Sequence, residues 1–217
     1  MSTKTLYRAS GLSLLVGVVL GTIGYGLQSV LFPDFQSVPL PVLLLSFIGS
    51  MLVIIGLPGL AARQASRAGW LGFAGFVLML LGIFLFSSLS FVQIIAQQLL
   101  TQLTQVAPKV AASDGPSASA MVTGLLASVL FTLGGILLGI AILRTRVWPR
   151  WTGLFLLLGV VLNLGSFPLP GIMSGIIGTV ASVLTYAAVG WIGYNLLTSG
   201  AGEVAVPNIL TSSQAQA

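Results

Sequence analysis

Long apolar runs constrain the fold of this chain more than any other feature. Stretches of about 20 or more residues without a charged side chain recur from near the N terminus to residue 198, and a helix of about 20 apolar residues crosses the ~30 Å hydrocarbon core of a bilayer. Only 5% of the residues are charged, against about a quarter in soluble domains. The sequence therefore predicts one all-α transmembrane domain over residues 1–217.

Proline, glycine and charged residues divide the apolar sequence into six predicted helices. We place these helices at about residues 10–32, 38–62, 69–91, 120–143, 151–167 and 171–198, and a polar tail follows at 199–217. Pro58, near the end of the second helix, predicts a kink. The third helix continues as an amphipathic extension to residue 106, which either projects from the bilayer or lies on its surface. Whether this helix breaks near Ser90 stays open.

The positive charges predict the orientation of the bundle. Apart from Lys109, all of them fall on the side of the predicted topology that carries the N terminus: Lys4, Arg8, Arg63, Arg67, Arg144, Arg146 and Arg150. Cytoplasmic loops of membrane proteins are enriched in Lys and Arg, so we expect the N terminus inside. An even number of helices then places the C terminus inside as well.

Missing residue types exclude several chemistries. The chain has no histidine and no cysteine, which rules out Ser-His catalysis, thiolate nucleophiles and the commonest metal ligands. The three carboxylates, Asp34, Asp114 and Glu203, are isolated in predicted loops. No Asp, Glu, Lys, Arg or His lies within a predicted span, which argues against proton-coupled transport. We expect a non-enzymatic protein with no catalytic residues, metal or cofactor, and the scattered cations predict no nucleic-acid partner.

Two polar residues within the spans are candidate ligand-binding residues. Asn163 is an amide in the fifth helix, and Tyr186 lies in the sixth. Because hydrocarbon offers no hydrogen-bond partner, a buried amide must find one in the protein or in a ligand. Holding helices together is the more common role of such residues in membrane proteins.

A compact basic and aromatic cluster is a candidate site for lipid headgroups. It comprises Arg144, Arg146, Arg150, Trp148 and Trp151. Each cation gains about 1 kcal/mol from anionic headgroups near a membrane surface. Ordinary orientation signalling by positive loops explains the same residues.

Small residues four positions apart predict close helix packing. The pairs are Gly17/Gly21, Ser46/Ser50, Gly135/Gly139, Gly171/Gly175 and Ser174/Gly178. Most are expected to pack within the bundle, and some are expected to face a partner subunit, since they occur on more faces than a small bundle uses.

Three glycine and aromatic motifs carry a resemblance to known proteins. They are Gly56-Leu57-Pro58-Gly59-Leu60, the run Gly69-Trp70-Leu71-Gly72-Phe73-Ala74-Gly75-Phe76, and Trp148-Pro149-Arg150-Trp151-Thr152-Gly153. With these motifs the chain resembles small bacterial six-helix integral membrane proteins of unknown function. The resemblance covers helices two to five and implies a bacterial cytoplasmic (inner) membrane.

Two functional hypotheses follow. The first is an accessory or scaffolding subunit of a larger membrane complex, because the spans lack ionisable groups and packing motifs are abundant. Its partners are the lipid bilayer and other membrane subunits. The alternative is a carrier or sensor for an uncharged hydrophobic molecule such as a lipid, quinone or pigment, held by Asn163 and Tyr186. This alternative predicts a cavity at membrane level that both side chains line.

Overall fold

A computed structural model describes residues 3–32, 38–106, 118–145, 147–166 and 172–198, and every regular element in these ranges is an α-helix. Four helices are α1 (Thr3–Leu31), α4 (Ala118–Thr145), α5 (Arg150–Ser166) and α6 (Ile172–Thr198). The remaining segment, Leu40–Val106, is interrupted at Gly69, so it forms α2 (residues 40–68) and α3 (residues 70–106). The all-helical, six-helix prediction is confirmed.

Gly69 makes the turn between α2 and α3. Its backbone dihedrals, φ 56° and ψ −156°, lie in a region that only glycine adopts without a steric cost. The two helices then run back along each other: the rings of Phe47 and Phe91 are 5.7 Å apart, and Gln97 Nε2 donates a hydrogen bond to the Val38 carbonyl oxygen at 2.6 Å. A single glycine thus sets the antiparallel pair.

Five helical segments are long and apolar enough to cross a membrane. They are Thr5–Leu31, Leu40–Gln64, Ala68–Gln97, Met121–Thr145 and Met173–Thr198. The sixth helix, α5, has 17 residues and is therefore about 25 Å long, shorter than the ~30 Å hydrocarbon core. These helices identify a membrane protein.

The six helices form a closed ring. Each helix packs against the next along the chain, and α6 returns to pack against α1. Small residues at the crossings let the backbones approach closely. A Cβ atom added to Gly17 would lie 2.8 Å from the carbonyl oxygen of Gly49, and one added to Gly11 would lie 2.7 Å from that of Gly193. These positions admit no larger side chain unless the helices move apart.

Most of the predicted small-residue pairs are used inside this ring. Gly135 and Gly139 face Val160 and Leu157 of α5 across the α4–α5 contact. Gly171 lies outside the described residues. The surplus of packing motifs that suggested a partner subunit is therefore largely taken up by contacts within the chain.

The helix bounds differ from the sequence prediction most at the end of the second helix and the start of the first. α2 ends at residue 68, six residues after the predicted end. The first helix begins at Thr3, seven residues before the predicted start. Pro58 does not interrupt the helical dihedrals of α2, and proline is tolerated inside membrane helices where neighbouring groups satisfy the carbonyl that it leaves unpaired. α3 is continuous through Ser90 to Val106, which answers the open question about a break there.

The two ends of the ring differ in charge. Arg8, Arg63, Arg144 and Arg150 all lie at the end where α1 begins and α6 ends, which we call the arginine end. At the other end, where α1 ends and α2 begins, the residues that the structure describes carry no charge. We call this the opposite end. The predicted asymmetry of charge is thus present in the fold.

Candidate functional site

The half of the bundle nearer the arginine end has an apolar interior. Buried side chains from all six helices and from the turn before α5 form one continuous cluster, which we call the apolar plug. Its members are Leu14, Val53, Leu57, Leu60, Met79, Leu138, Ile142, Trp148, Leu156, Val160, Ala188, Val189, Ile192 and Leu196. Interiors of this kind are packed as densely as organic crystals, so the plug leaves little free space.

A cavity of about 130 Å³ lies inside the ring next to the plug. All six helices contribute to its wall. The lining residues are Tyr25, Ser50, Val53, Met79, Ile83, Phe86, Phe131, Asn163, Ser182, Thr185, Tyr186 and Val189. We call it the central cavity. The structure therefore brings both sequence-predicted ligand-binding residues, Asn163 and Tyr186, into one site.

Aromatic rings form much of the wall. Tyr25 of α1 and Tyr186 of α6 are stacked, with ring centroids 6.2 Å apart, while Phe86 and Phe131 meet edge to face at 6.0 Å. Such pairs contribute about 0.5–1.5 kcal/mol beyond their buried area. The wall is consequently held in place by contacts between neighbouring helices.

Gly21 makes room for one of these rings. A Cβ atom at Gly21 would lie 2.9 Å from both Cζ and the hydroxyl oxygen of Tyr186. Any larger residue would push this ring away from α1. The position of Tyr186 beside the cavity thus depends on a glycine of the first helix.

Hydroxyl groups supply the polar part of the wall. The Tyr25 hydroxyl and Ser50 Oγ share a hydrogen bond of 3.3 Å, and Thr185 Oγ1 donates to the Ala181 carbonyl oxygen of its own helix. Neutral hydroxyls donate and accept hydrogen bonds. The cavity is therefore apolar in most of its surface and carries a few neutral hydrogen-bonding groups.

Asn163 is a polar lining residue with an unpaired buried atom. Its Oδ1 atom is buried and has no hydrogen-bond partner among the described residues. A buried polar atom left in this state costs about 1–3 kcal/mol. Because amide oxygen and nitrogen exchange places when the group is flipped, the amide can meet either a donor or an acceptor. Its side chain makes no bond that would join α5 to another helix, so the arrangement fits a ligand contact better than a structural one.

The basic and aromatic cluster is split by the fold. Arg144, Arg150 and Trp151 are exposed, as a headgroup site requires, whereas Trp148 is only 3% exposed. Arg146 lies outside the described residues. Trp148 thus belongs to the interior of the bundle and not to its surface.

Arg63 contacts one face of the buried Trp148 ring. Its guanidinium carbon lies 4.8 Å from the centre of the Trp148 ring, and its Nη1 donates to the Asn195 carbonyl oxygen at 3.4 Å. Cation–π contacts of this kind contribute about 0.5–2 kcal/mol. The three residues join α2, the turn before α5 and α6 across the arginine end.

Sequence reasoning missed most of the residues that line the cavity. On α6 the lining residues Ser182, Thr185, Tyr186 and Val189 follow the i, i+3, i+4, i+7 spacing of one helical face. That face carries two hydroxyls and a tyrosine, which was the available signal. Tyr25 was not singled out, and Ser50 was interpreted only as half of the small-residue pair Ser46/Ser50.

No group of three or more His, Cys, Asp or Glu side chains that could hold a metal ion occurs in the described part of the chain. Catalytic carboxylates are absent from the cavity wall as well.

No protein-family model, curated protein or solved structure matches the chain.

Proposed function

We propose that this chain is a multi-pass membrane protein that binds a small uncharged molecule in the central cavity, as a carrier or sensor without enzymatic activity. One observation carries the proposal: all six helices converge on a cavity that Asn163 and Tyr186 both line. Pockets between the helices of a bundle are common sites for small ligands.

The wall indicates the chemistry of the ligand. A charged ligand would find no counter-charge among the lining residues, and an unpaired charge is costly away from water. Aromatic faces and hydroxyls favour a planar, largely apolar molecule with one or two hydrogen-bonding groups.

The size of the cavity further limits the class of ligand that fits. Its volume of about 130 Å³ is close to that of an engineered apolar cavity of about 150 Å³ that holds benzene. A single ring of this size fits, as does the ring of a quinone. A whole lipid or a multi-ring pigment could place only one end inside.

We place the arginine end in the cytoplasm, with both termini inside and six crossings of a bacterial inner membrane. Four described arginines at one end support this orientation. For α5, which is shorter than the hydrocarbon core, a crossing requires the bilayer to thin locally or flanking residues to reach the interface.

Ligand retention after purification tests the proposal. The chain is purified in mild detergent and released small molecules are identified by mass spectrometry, for the wild type and for Asn163→Leu, which keeps the side-chain size and removes the amide. Asn195→Leu is the matched control, because the Asn195 side chain donates to the Trp191 carbonyl oxygen of its own helix, away from the cavity. We expect one small uncharged molecule per chain in the wild type and the control, and a loss in Asn163→Leu. Equal retention in all three would refute the proposal.

A second candidate function is an accessory subunit of a membrane complex. It is supported by an apolar stripe on α3, where Phe91, Val92, Ile95 and Leu99 are all exposed. Phe91, Val92 and Ile95 lie within the span Ala68–Gln97, so this surface can contact another membrane protein in place of lipid. Stoichiometric protein partners in the same purification would favour this function.

A further inference from the structure

We infer that the central cavity is reached from the opposite end of the bundle, by molecules dissolved in the water on that side, and that the arginine end is sealed. The identity of the site rests on the proposed function, whereas the path to it is a property of the helix ring. Three features of the interior support this path.

The wall of the cavity that faces the arginine end is formed by residues of the apolar plug. Val53, Met79 and Val189 line the cavity and also belong to the plug. From these residues the plug continues to Leu60 on α2 and Leu196 on α6, each 1% exposed. Seven helical residues separate these levels, which corresponds to about 10 Å. A ligand of any polarity would have to displace this depth of packed side chains in order to pass.

The arginine end is closed beyond the plug. Arg63 bridges Trp148 and the Asn195 carbonyl oxygen, so one side chain ties three segments together there. α1 and α6 approach each other at Gly11 and Gly193 too closely for even an added Cβ atom. A pocket of about 130 Å³ lies at this end between α2 and α3, lined by Ala61, Gln64, Ala68, Gly69, Gly72, Phe73 and Phe76. It shares no lining residue with the central cavity, so it does not open an axial path to that cavity.

The interior changes character toward the opposite end. Most of the buried polar residues lie at the cavity or beyond it on that side: Gln28, Ser46, Ser50, Ser87, Ser90, Ser128, Thr132, Ser166 and Thr185. Four of them, Gln28, Ser87, Ser128 and Thr132, have a buried oxygen without a hydrogen-bond partner in the described ranges, against three such side-chain atoms at the arginine end, on Gln64, Trp148 and Thr152. Each such oxygen costs about 1–3 kcal/mol, and contact with water removes the cost. This half of the bundle is therefore suited to a hydrated path.

The path ends at the cavity, which distinguishes a one-sided binding site from a channel. A molecule that enters from the opposite end meets Asn163 and the tyrosines and then the plug. Passage to the other side would require the plug and the Arg63 bridge to open. In this conformation the protein receives its ligand from one side of the membrane only.

Single-cysteine labelling tests the path, because the natural chain has no cysteine. Ser182→Cys places a thiol in the cavity wall and Ala188→Cys places one in the plug. Exposed positions at the two ends, Ser119→Cys and Arg144→Cys, report which face of a vesicle is accessible. Vesicles of both orientations are treated with a small membrane-impermeant methanethiosulfonate, and modification is followed by intact-mass measurement.

We expect Ser182→Cys to react at least about tenfold faster from the face that labels Ser119→Cys than from the face that labels Arg144→Cys, because thiol reactivity follows access. Ala188→Cys should stay unmodified from both faces. Thr185→Cys, also in the wall, gives a second reading if Ser182→Cys does not fold.

Three results would overturn the inference: faster or equal modification from the arginine end, no modification from either face, or modification only by an uncharged reagent dissolved in the membrane. The labelling experiment and the ligand-retention experiment can fail independently of each other. One-sided labelling without a retained ligand would overturn the proposed function alone. A retained ligand with labelling from the arginine end would overturn only the path.

Discussion

Replacing Gly49 by alanine should destabilise the bundle through the α1–α2 contact. The new Cβ atom would lie 2.5 Å from the backbone nitrogen of Gly21 and 3.0 Å from the carbonyl oxygen of Gly17. Both atoms belong to the backbone of α1, so no side-chain rotation relieves the overlap. α1 would have to move outward by roughly 1 Å, and a gap of 0.5–1 Å forfeits a quarter to a half of the dispersion energy of each contact it opens.

We expect a loss of about 1–3 kcal/mol in the free energy of unfolding, the usual range for an overpacked interior. Gly26→Ala is the matched control on α1, since nothing lies within 4 Å of its added Cβ atom. This control should gain up to about 0.5–1 kcal/mol, because glycine is a poor residue inside a helix. The difference between the two variants is measured by titration with sodium dodecyl sulfate in mixed micelles, followed by circular dichroism. Equal stabilities for Gly49→Ala and Gly26→Ala would refute the packing argument.

Three further changes test other contacts. Arg63→Leu should expose Trp148 and lower the free energy of unfolding by about 0.5–2 kcal/mol. Acrylamide quenching of Trp148 fluorescence measures the exposure in a chain whose other tryptophans are replaced by phenylalanine. Unchanged quenching would contradict the Arg63 bridge. Gln97→Leu should speed hydrogen exchange in the first turn of α2, because it removes the 2.6 Å hydrogen bond to the Val38 carbonyl oxygen that precedes this turn. Hydrogen exchange is measured by mass spectrometry, and equal protection in the variant and the wild type would contradict this role of Gln97. Gly21→Ala should displace the Tyr186 ring and lower ligand retention several-fold; retention equal to the wild type would mean that the ring position does not control binding.

Hydropathy and charge predicted the helices because lipid imposes simple requirements. Every backbone group in hydrocarbon needs an internal partner, so an apolar run of sufficient length has to be a helix. The arginines likewise marked one end of the bundle, and the fold places those of the described ranges together there, although α1 and α2 extend past Arg8 and Arg63. Both predictions depend on local sequence only.

The cavity and the ring could not be predicted in the same way. In a membrane the outer surface is as apolar as the interior, so the pattern of apolar residues does not show which face of a helix points inward. Val183 is 46% exposed and Val189 is 4% exposed, yet both are valines of α6. Trp148 was expected at an interface with lipid, and its buried ring contacts Arg63, 85 positions earlier in the chain. Such contacts follow from helix order around the ring, which local pattern does not encode.

The closure of the ring by α1 and α6 has a consequence for biosynthesis. Neighbouring helices can pair as soon as each leaves the ribosome, since their contacts are local in sequence. The contact between Ser29 and Thr179, whose hydroxyls are 2.6 Å apart, joins residues separated by 150 positions. Until the last helix is made, the first helix has one flank uncovered and the cavity lacks a wall. A chain truncated before residue 172 would therefore insert without a binding site, and quality-control proteases would meet an open ring instead of a closed one.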